Sequence, residues 1–121
     1  MTAKEFADRL EAETYRGDDG LVGVYEFQPS DDDALWISER LFRRVTRVAE
    51  AYELHTLPML GGSDPVTLGR PMLASMVDEL EFLTDQLNDP LVHETAQVLT
   101  DFMTIRLRRP SWEGFVTVEG D

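Results

Sequence analysis

The stretch DELEFLTDQLNDPLVHETAQV, residues 78–98, decides most of the fold. Its apolar residues recur at helical spacing as far as Leu87, which is typical of one face of an amphipathic helix. Asp89 and Pro90 then interrupt the pattern, because aspartate is a preferred N-cap and proline is favoured in the first turn of a helix. The stretch therefore predicts two antiparallel helices joined by a short turn, a helical hairpin.

Both helices of the hairpin extend outward from this turn. Pro71 suits the first turn of the earlier helix, and RLRRP, residues 106–110, ends the later one with positive charge at the negative end of its dipole. The later helix has two apolar stripes, so we expect it to be buried over a wide arc in the middle of the fold. The stripe of the earlier helix consists of Leu73, Met76, Val77, Leu80, Leu83 and Leu87.

Strand signals lie on both sides of the hairpin. LVGVYEF, residues 21–27, is rich in β-branched and aromatic residues, and Gly23 within it indicates a bulge or a close approach of backbone. Two shorter candidates are VTL at 66–68 and FVTV at 115–118. The predicted class is α+β in a single domain, residues 1–121. A small two- or three-stranded sheet packs against about four helices, including the C-terminal helical hairpin.

Two more helices are predicted before the hairpin, over residues 3–15 and 33–54. The earlier one follows a capping box. The later one follows three aspartates, whose pattern lacks the alternation of a calcium loop and fits a helix N-terminus capped by Ser30 or Asp31.

The composition excludes several classes of function. The chain has 24 acidic and 11 basic residues, a net charge of -13, and no cysteine. It therefore offers neither disulfides nor thiolate metal ligands, and a net anion is repelled by nucleic acid and by anionic membranes. No apolar run is long enough for a membrane span or a signal peptide, so we expect a cytoplasmic protein.

The charge is distributed in blocks. Residues 64–101 hold eight acids and one base, whereas SERLFRRVTR, residues 38–47, holds four arginines. Helical winding places Arg40, Arg44 and Arg47 on one flank, with Arg43 beside them. Two interpretations of this arginine flank stay open. The arginines either form ion pairs with Asp78, Glu81 and Asp85, or they bind an anion together with Trp36.

The sequence indicates no catalytic site. Its two histidines, His55 and His93, lack the partners of a metal or acid–base site, and no nucleophile elbow or phosphate loop is present. We expect neither an enzyme nor a cofactor or metal.

Binding is the better hypothesis. Phe82 falls on the polar side of its helix and Trp36 off the core face of its own, and an aromatic side chain among carboxylates is typical of a surface that binds a basic protein. The candidate partner-binding residues are Trp36, Asp78, Glu79, Glu81, Phe82 and Asp85.

We therefore expect a small acidic binding protein that docks on a basic partner and blocks or regulates it. Immunity proteins and antitoxins have this size, this charge and no catalytic groups, which is an analogy of fold and composition only. The alternative is a self-associating protein without catalytic activity, whose Met- and Leu-rich hairpin forms a homodimer.

Overall fold

The computed structural model describes residues 20–62 and 64–120, so the helix predicted over 3–15 lies outside the described residues. The strands are β1 (Leu21–Tyr25), β2 (Leu35–Ser38), β3 (Val66–Leu68) and β4 (Val116–Glu119). The helices are α1 (Glu39–Ala51), α2 (Thr56–Met59), α3 (Arg70–Gln86) and α4 (Pro90–Leu107).

The four strands form one antiparallel sheet in the order β2-β1-β4-β3. Alternate residues of each strand point toward the helices, and the inner face of the sheet joins the same apolar core as they do. Its buried residues are Val22, Val24, Ile37, Leu68, Val116 and Val118. The α+β class and the C-terminal hairpin are confirmed, but the sheet has four strands rather than two or three.

The additional strand is β2, which was predicted as the start of a helix. Leu35 and Ile37 alternate with exposed Trp36, and this period of two suits a half-buried strand. Hydrogen bonding to β1 outweighs the helix propensity of these residues. Helix α1 begins at Glu39, and Ser38 is its N-cap, 3.5 Å from the backbone nitrogen of Leu41.

Neither Ser30 nor Asp31 caps the helix, contrary to the prediction. The Asp31 carboxylate instead accepts a hydrogen bond from the backbone N–H of Phe27 at 2.9 Å. Asp31 also accepts from the backbone of Ala34 at 3.1 Å, so these residues form the turn between β1 and β2.

Gly23 permits the close approach that its position in β1 indicated. It pairs with Trp36 across the strands, and a Cβ atom at this position would lie 3.0 Å from the indole ring. The ring therefore lies against the backbone of β1, on the face of the sheet opposite the helices.

Helix α4 lies in the middle of the helical layer, in contact with both α1 and α3. The Asp89 carboxylate accepts hydrogen bonds from the backbone N–H groups of Leu91 and Val92 at 3.1 and 3.3 Å, which confirms the predicted cap. The inner residues of α4 and four of the six stripe residues of α3 are almost fully buried, whereas Val77 and Leu87 are partly buried. Within the described ranges, neither helix nor any other is long and apolar enough to cross a membrane.

The C-terminal end of α4 contains a buried ionic cluster. Arg106 lies in the last turn of α4, as predicted, and is only 2% exposed. Its Nε forms an ion pair with the Glu26 carboxylate at 3.0 Å, but the N–H is not directed at the oxygen and forms no hydrogen bond. Its Nη2 lies 2.6 Å from the Asp33 carboxylate. Trp112 Nε1 donates a hydrogen bond to the Glu26 carboxylate at 2.9 Å. This cluster joins α4 to the segment between β1 and β2.

Arg70 closes the open end of the hairpin. From the first residue of α3, its guanidinium donates hydrogen bonds to the carbonyl oxygens of Leu107 and Trp112, at 2.9 and 3.0 Å, and to that of Arg109. These carbonyls lie at and beyond the end of α4, where a cation also complements the helix dipole.

Candidate functional site

One face of α3 combines exposed carboxylates with an exposed aromatic ring. Asp78, Glu81, Phe82 and Asp85 are spaced by three, four and seven residues, so they share an arc of about 100° on the helix. All four are exposed, whereas Leu80 and Leu83 on the other side are fully buried.

A second aromatic ring packs against this face. Tyr52, which ends α1, meets Phe82 edge to face, with ring centroids 5.4 Å apart and planes at 82°. Both rings stay partly exposed, at 41% and 38%. An edge-to-face pair is favourable beyond simple burial, so each ring fixes the position of the other. We call Tyr52, Asp78, Glu81, Phe82 and Asp85 the acidic aromatic face.

The backbone beside Tyr52 is unusual. Glu53 has φ of 58°, the left-handed region that normally favours glycine. Its N–H donates to Glu50 and that of Leu54 donates to Ala49, the two hydrogen bonds of a Schellman motif. A non-glycine residue in this conformation costs about 1 kcal/mol. The chain thus has an exposed carboxylate next to the acidic aromatic face at a position where glycine would be more stable.

The negative charge of the face is not neutralised within the described part of the chain. There, Asp78, Glu81 and Asp85 form no ion pair and no side-chain hydrogen bond. Arg70, the one base of α3, is bound to carbonyls at the end of α4. Like charges three and four residues apart on a helix repel each other, so the face is a site that a cation would stabilise.

Glu79 does not belong to this face. The side chain is 8% exposed, and its carboxylate accepts hydrogen bonds from the backbone N–H groups of His55, Thr56 and Leu57 at 3.2, 2.8 and 2.8 Å. These are the unpaired donors at the start of α2. Glu79 therefore has a structural role as the cap of α2, and its assignment to a partner surface is corrected.

Trp36 is exposed but lies elsewhere. It is 52% exposed on the outer face of the sheet, whereas Phe82 lies in the helical layer on the other side. The six candidate residues thus divide into four that lie together, one that is buried and one on the opposite surface.

Sequence reasoning missed Tyr52, which completes the face. The two rings are 30 positions apart, and no local pattern connects them.

One of the two interpretations of the arginine flank, ion pairs with Asp78, Glu81 and Asp85, is not seen among the described residues. Arg44 pairs with Asp89, and Arg43 pairs with Glu39 at 2.5 Å, one turn earlier on α1. Arg47 has no ion pair or hydrogen bond from its side chain to any described residue. Within the described part of the chain, Arg43 and Arg44 are thus paired with carboxylates and Arg47 is not.

Both histidines contact groups of the fold. A ring nitrogen of His93 contacts the carbonyl of Leu87, and the backbone of His55 donates to Glu79. Across residues 20–62 and 64–120, no group of three or more histidines and carboxylates could hold a metal ion.

Comparisons of the chain with protein-family models, with curated proteins and with solved structures found no match.

Proposed function

We propose that this chain is a binding protein that docks on a basic protein partner through the acidic aromatic face, and so blocks or regulates that partner. The proposal rests on one observation: an exposed aromatic pair borders three carboxylates that have no cation among the described residues. Acidic immunity proteins and antitoxins are the analogous class.

The two kinds of residue would contribute differently to binding. Carboxylates attract a cationic surface over about 10 Å at moderate salt, which raises the association rate. Phe82 and Tyr52 offer ring faces to apolar groups or to an arginine or lysine of the partner, which lowers the dissociation rate. We expect binding that weakens with salt and depends strongly on one ring.

The test is affinity capture from lysate of the source cells with the full chain, followed by measurement of association and dissociation rates for the captured protein. We expect a basic protein whose association slows several-fold at high salt. Phe82→Ala should weaken its binding at least tenfold, since central aromatic residues typically contribute 2 kcal/mol or more, about thirtyfold in affinity.

Phe115→Ala is the matched control, because Phe115 is 59% exposed at a different place. Both variants should keep the stability of the parent chain within about 1 kcal/mol, since neither ring is in the core. Equal loss of binding in the two variants, or capture of no basic protein, would contradict the proposal.

The alternative, self-association through the hairpin, receives no support from the packing. Four of the six residues in the apolar stripe of α3 are 0% exposed inside the chain's own core: Leu73, Met76, Leu80 and Leu83. A homodimer would therefore have to use other side chains.

A further inference from the structure

A polar cleft lies between α1 and α2, separate from the acidic aromatic face. It has a volume of about 410 Å³, within the range of small-molecule sites. The lining residues are Arg43, Thr46, Arg47, Glu50, Pro58 and Gly61.

The cleft concentrates positive charge in a chain of strongly negative charge. Arg43 and Arg47 are one helical turn apart and both exposed, so their guanidinium groups can reach one ligand. Arg47 has no partner among the described residues, and Arg43 uses only Nη2 on Glu39. A guanidinium has five N–H donors, so most of those in the cleft have no acceptor among the described residues.

The backbone around the cleft keeps α2 close to these arginines. Thr46 Oγ1 donates a hydrogen bond to the carbonyl oxygen of Arg43 at 3.0 Å. A Cβ atom at Gly61 would lie 3.2 Å from Thr46 Oγ1. The glycine therefore lets the segment after α2 approach α1 closely, and this approach gives the cleft its second wall.

We propose that this cleft binds a small organic phosphate. Two arginine forks match the geometry of phosphate oxygens. Glu50 lies on the same helix as the two arginines. Its carboxylate would repel a further anionic group of the ligand and would accept a hydrogen bond from a hydroxyl or amino group. The ligand class is thus a monophosphate with a donor group beyond it, as in a sugar or polyol phosphate. This site is independent of the basic partner, because it has the opposite charge.

The test is titration of the full chain, at constant ionic strength, with inorganic phosphate and with glycerol phosphate, followed by NMR of the backbone amides. We expect the resonances of Thr46 and Gly61 to shift, with tighter binding of glycerol phosphate. Arg47→Gln should weaken both about tenfold, the effect of losing a charge-assisted hydrogen bond. Glu50→Ala should remove the preference for glycerol phosphate, because it takes away the acceptor for the hydroxyl group.

Arg108→Gln is the matched control, since it removes one exposed arginine outside the cleft. It should leave phosphate binding unchanged. Both arginine variants should melt at the temperature of the parent chain, because Arg47 has no ion pair to lose within the described part. Equal weakening by the two variants would show general electrostatic attraction and overturn the proposal. So would an absence of shifts at Thr46 and Gly61, or tighter binding of an acidic peptide than of either phosphate.

Discussion

Replacing Glu79 tests whether its carboxylate holds α2 in place. The sequence had suggested a partner-binding role for this residue at the surface. The side chain accepts hydrogen bonds from three successive backbone N–H groups, two of which belong to the buried residues Thr56 and Leu57. In Glu79→Ala these donors lose their acceptor while the surrounding atoms still exclude water. An unsatisfied buried donor costs about 1–3 kcal/mol.

For two such donors, with partial relaxation, we expect Glu79→Ala to lower the free energy of unfolding by about 3 kcal/mol. With a urea m-value of about 2 kcal/mol/M, the unfolding midpoint should fall by about 1.5 M. Glu79→Gln keeps the volume and one carbonyl oxygen, so it should lose about half as much. Urea titration followed by circular dichroism measures all three chains.

The control is Glu81→Ala, which removes a carboxylate two residues along the same helix. Glu81 is exposed and forms no ion pair within the described residues, so its loss should change stability by no more than about 0.5 kcal/mol. If Glu79→Ala and Glu81→Ala destabilise the chain equally, or if Glu79→Ala costs under about 1 kcal/mol, the capping argument is wrong.

The remaining predictions concern Arg106, Glu53 and Tyr25. Arg106→Met should lower the free energy of unfolding by about 3 kcal/mol, because it leaves the buried Glu26 carboxylate without its cation. The double variant with Glu26→Gln should have a higher free energy of unfolding than Arg106→Met alone, as measured by urea titration. Glu53→Gly should raise stability by about 1 kcal/mol by relieving the left-handed conformation, and an unchanged midpoint would refute that reasoning. The Tyr25 hydroxyl donates to Glu119 at 2.7 Å, and this hydrogen bond, with burial and the carboxylate charge, raises the pKa of Tyr25. The folded chain thus holds the phenolic proton more tightly than the unfolded chain, so this stabilisation is present below pH of about 10 and is lost as pH rises through the folded pKa. Glu119→Gln should lower that pKa, as ultraviolet titration of the phenolate will show; an unchanged titration would exclude the hydrogen bond as the cause.

Local patterns were enough to predict the hairpin, because its signals are close together in sequence. Asp89 and Pro90 determine where α4 begins whatever packs around them, and the leucine stripe of α3 determines which side is buried. The strand Leu35–Ser38 could not be separated from a helix start, since three successive apolar residues fit both periods until a neighbouring strand pairs with them.

The site was predicted only in part, for a related reason. The spacing of Asp78, Glu81, Phe82 and Asp85 is a property of one helix, so sequence could place them on a single face. The burial of Glu79 depends on α2, a four-residue helix with no periodic signal of its own. The contact between Tyr52 and Phe82 depends on tertiary packing, which no spacing in the chain encodes.

The position of Arg70 links the mobility of two distant parts of the chain. Since this side chain holds the last carbonyls of α4 from the first residue of α3, fraying at either terminus would release the same three hydrogen bonds. Amide protons in the opening turn of one helix and the closing turn of the other should then exchange with solvent in a single concerted event, as one cooperative unit rather than two loose ends.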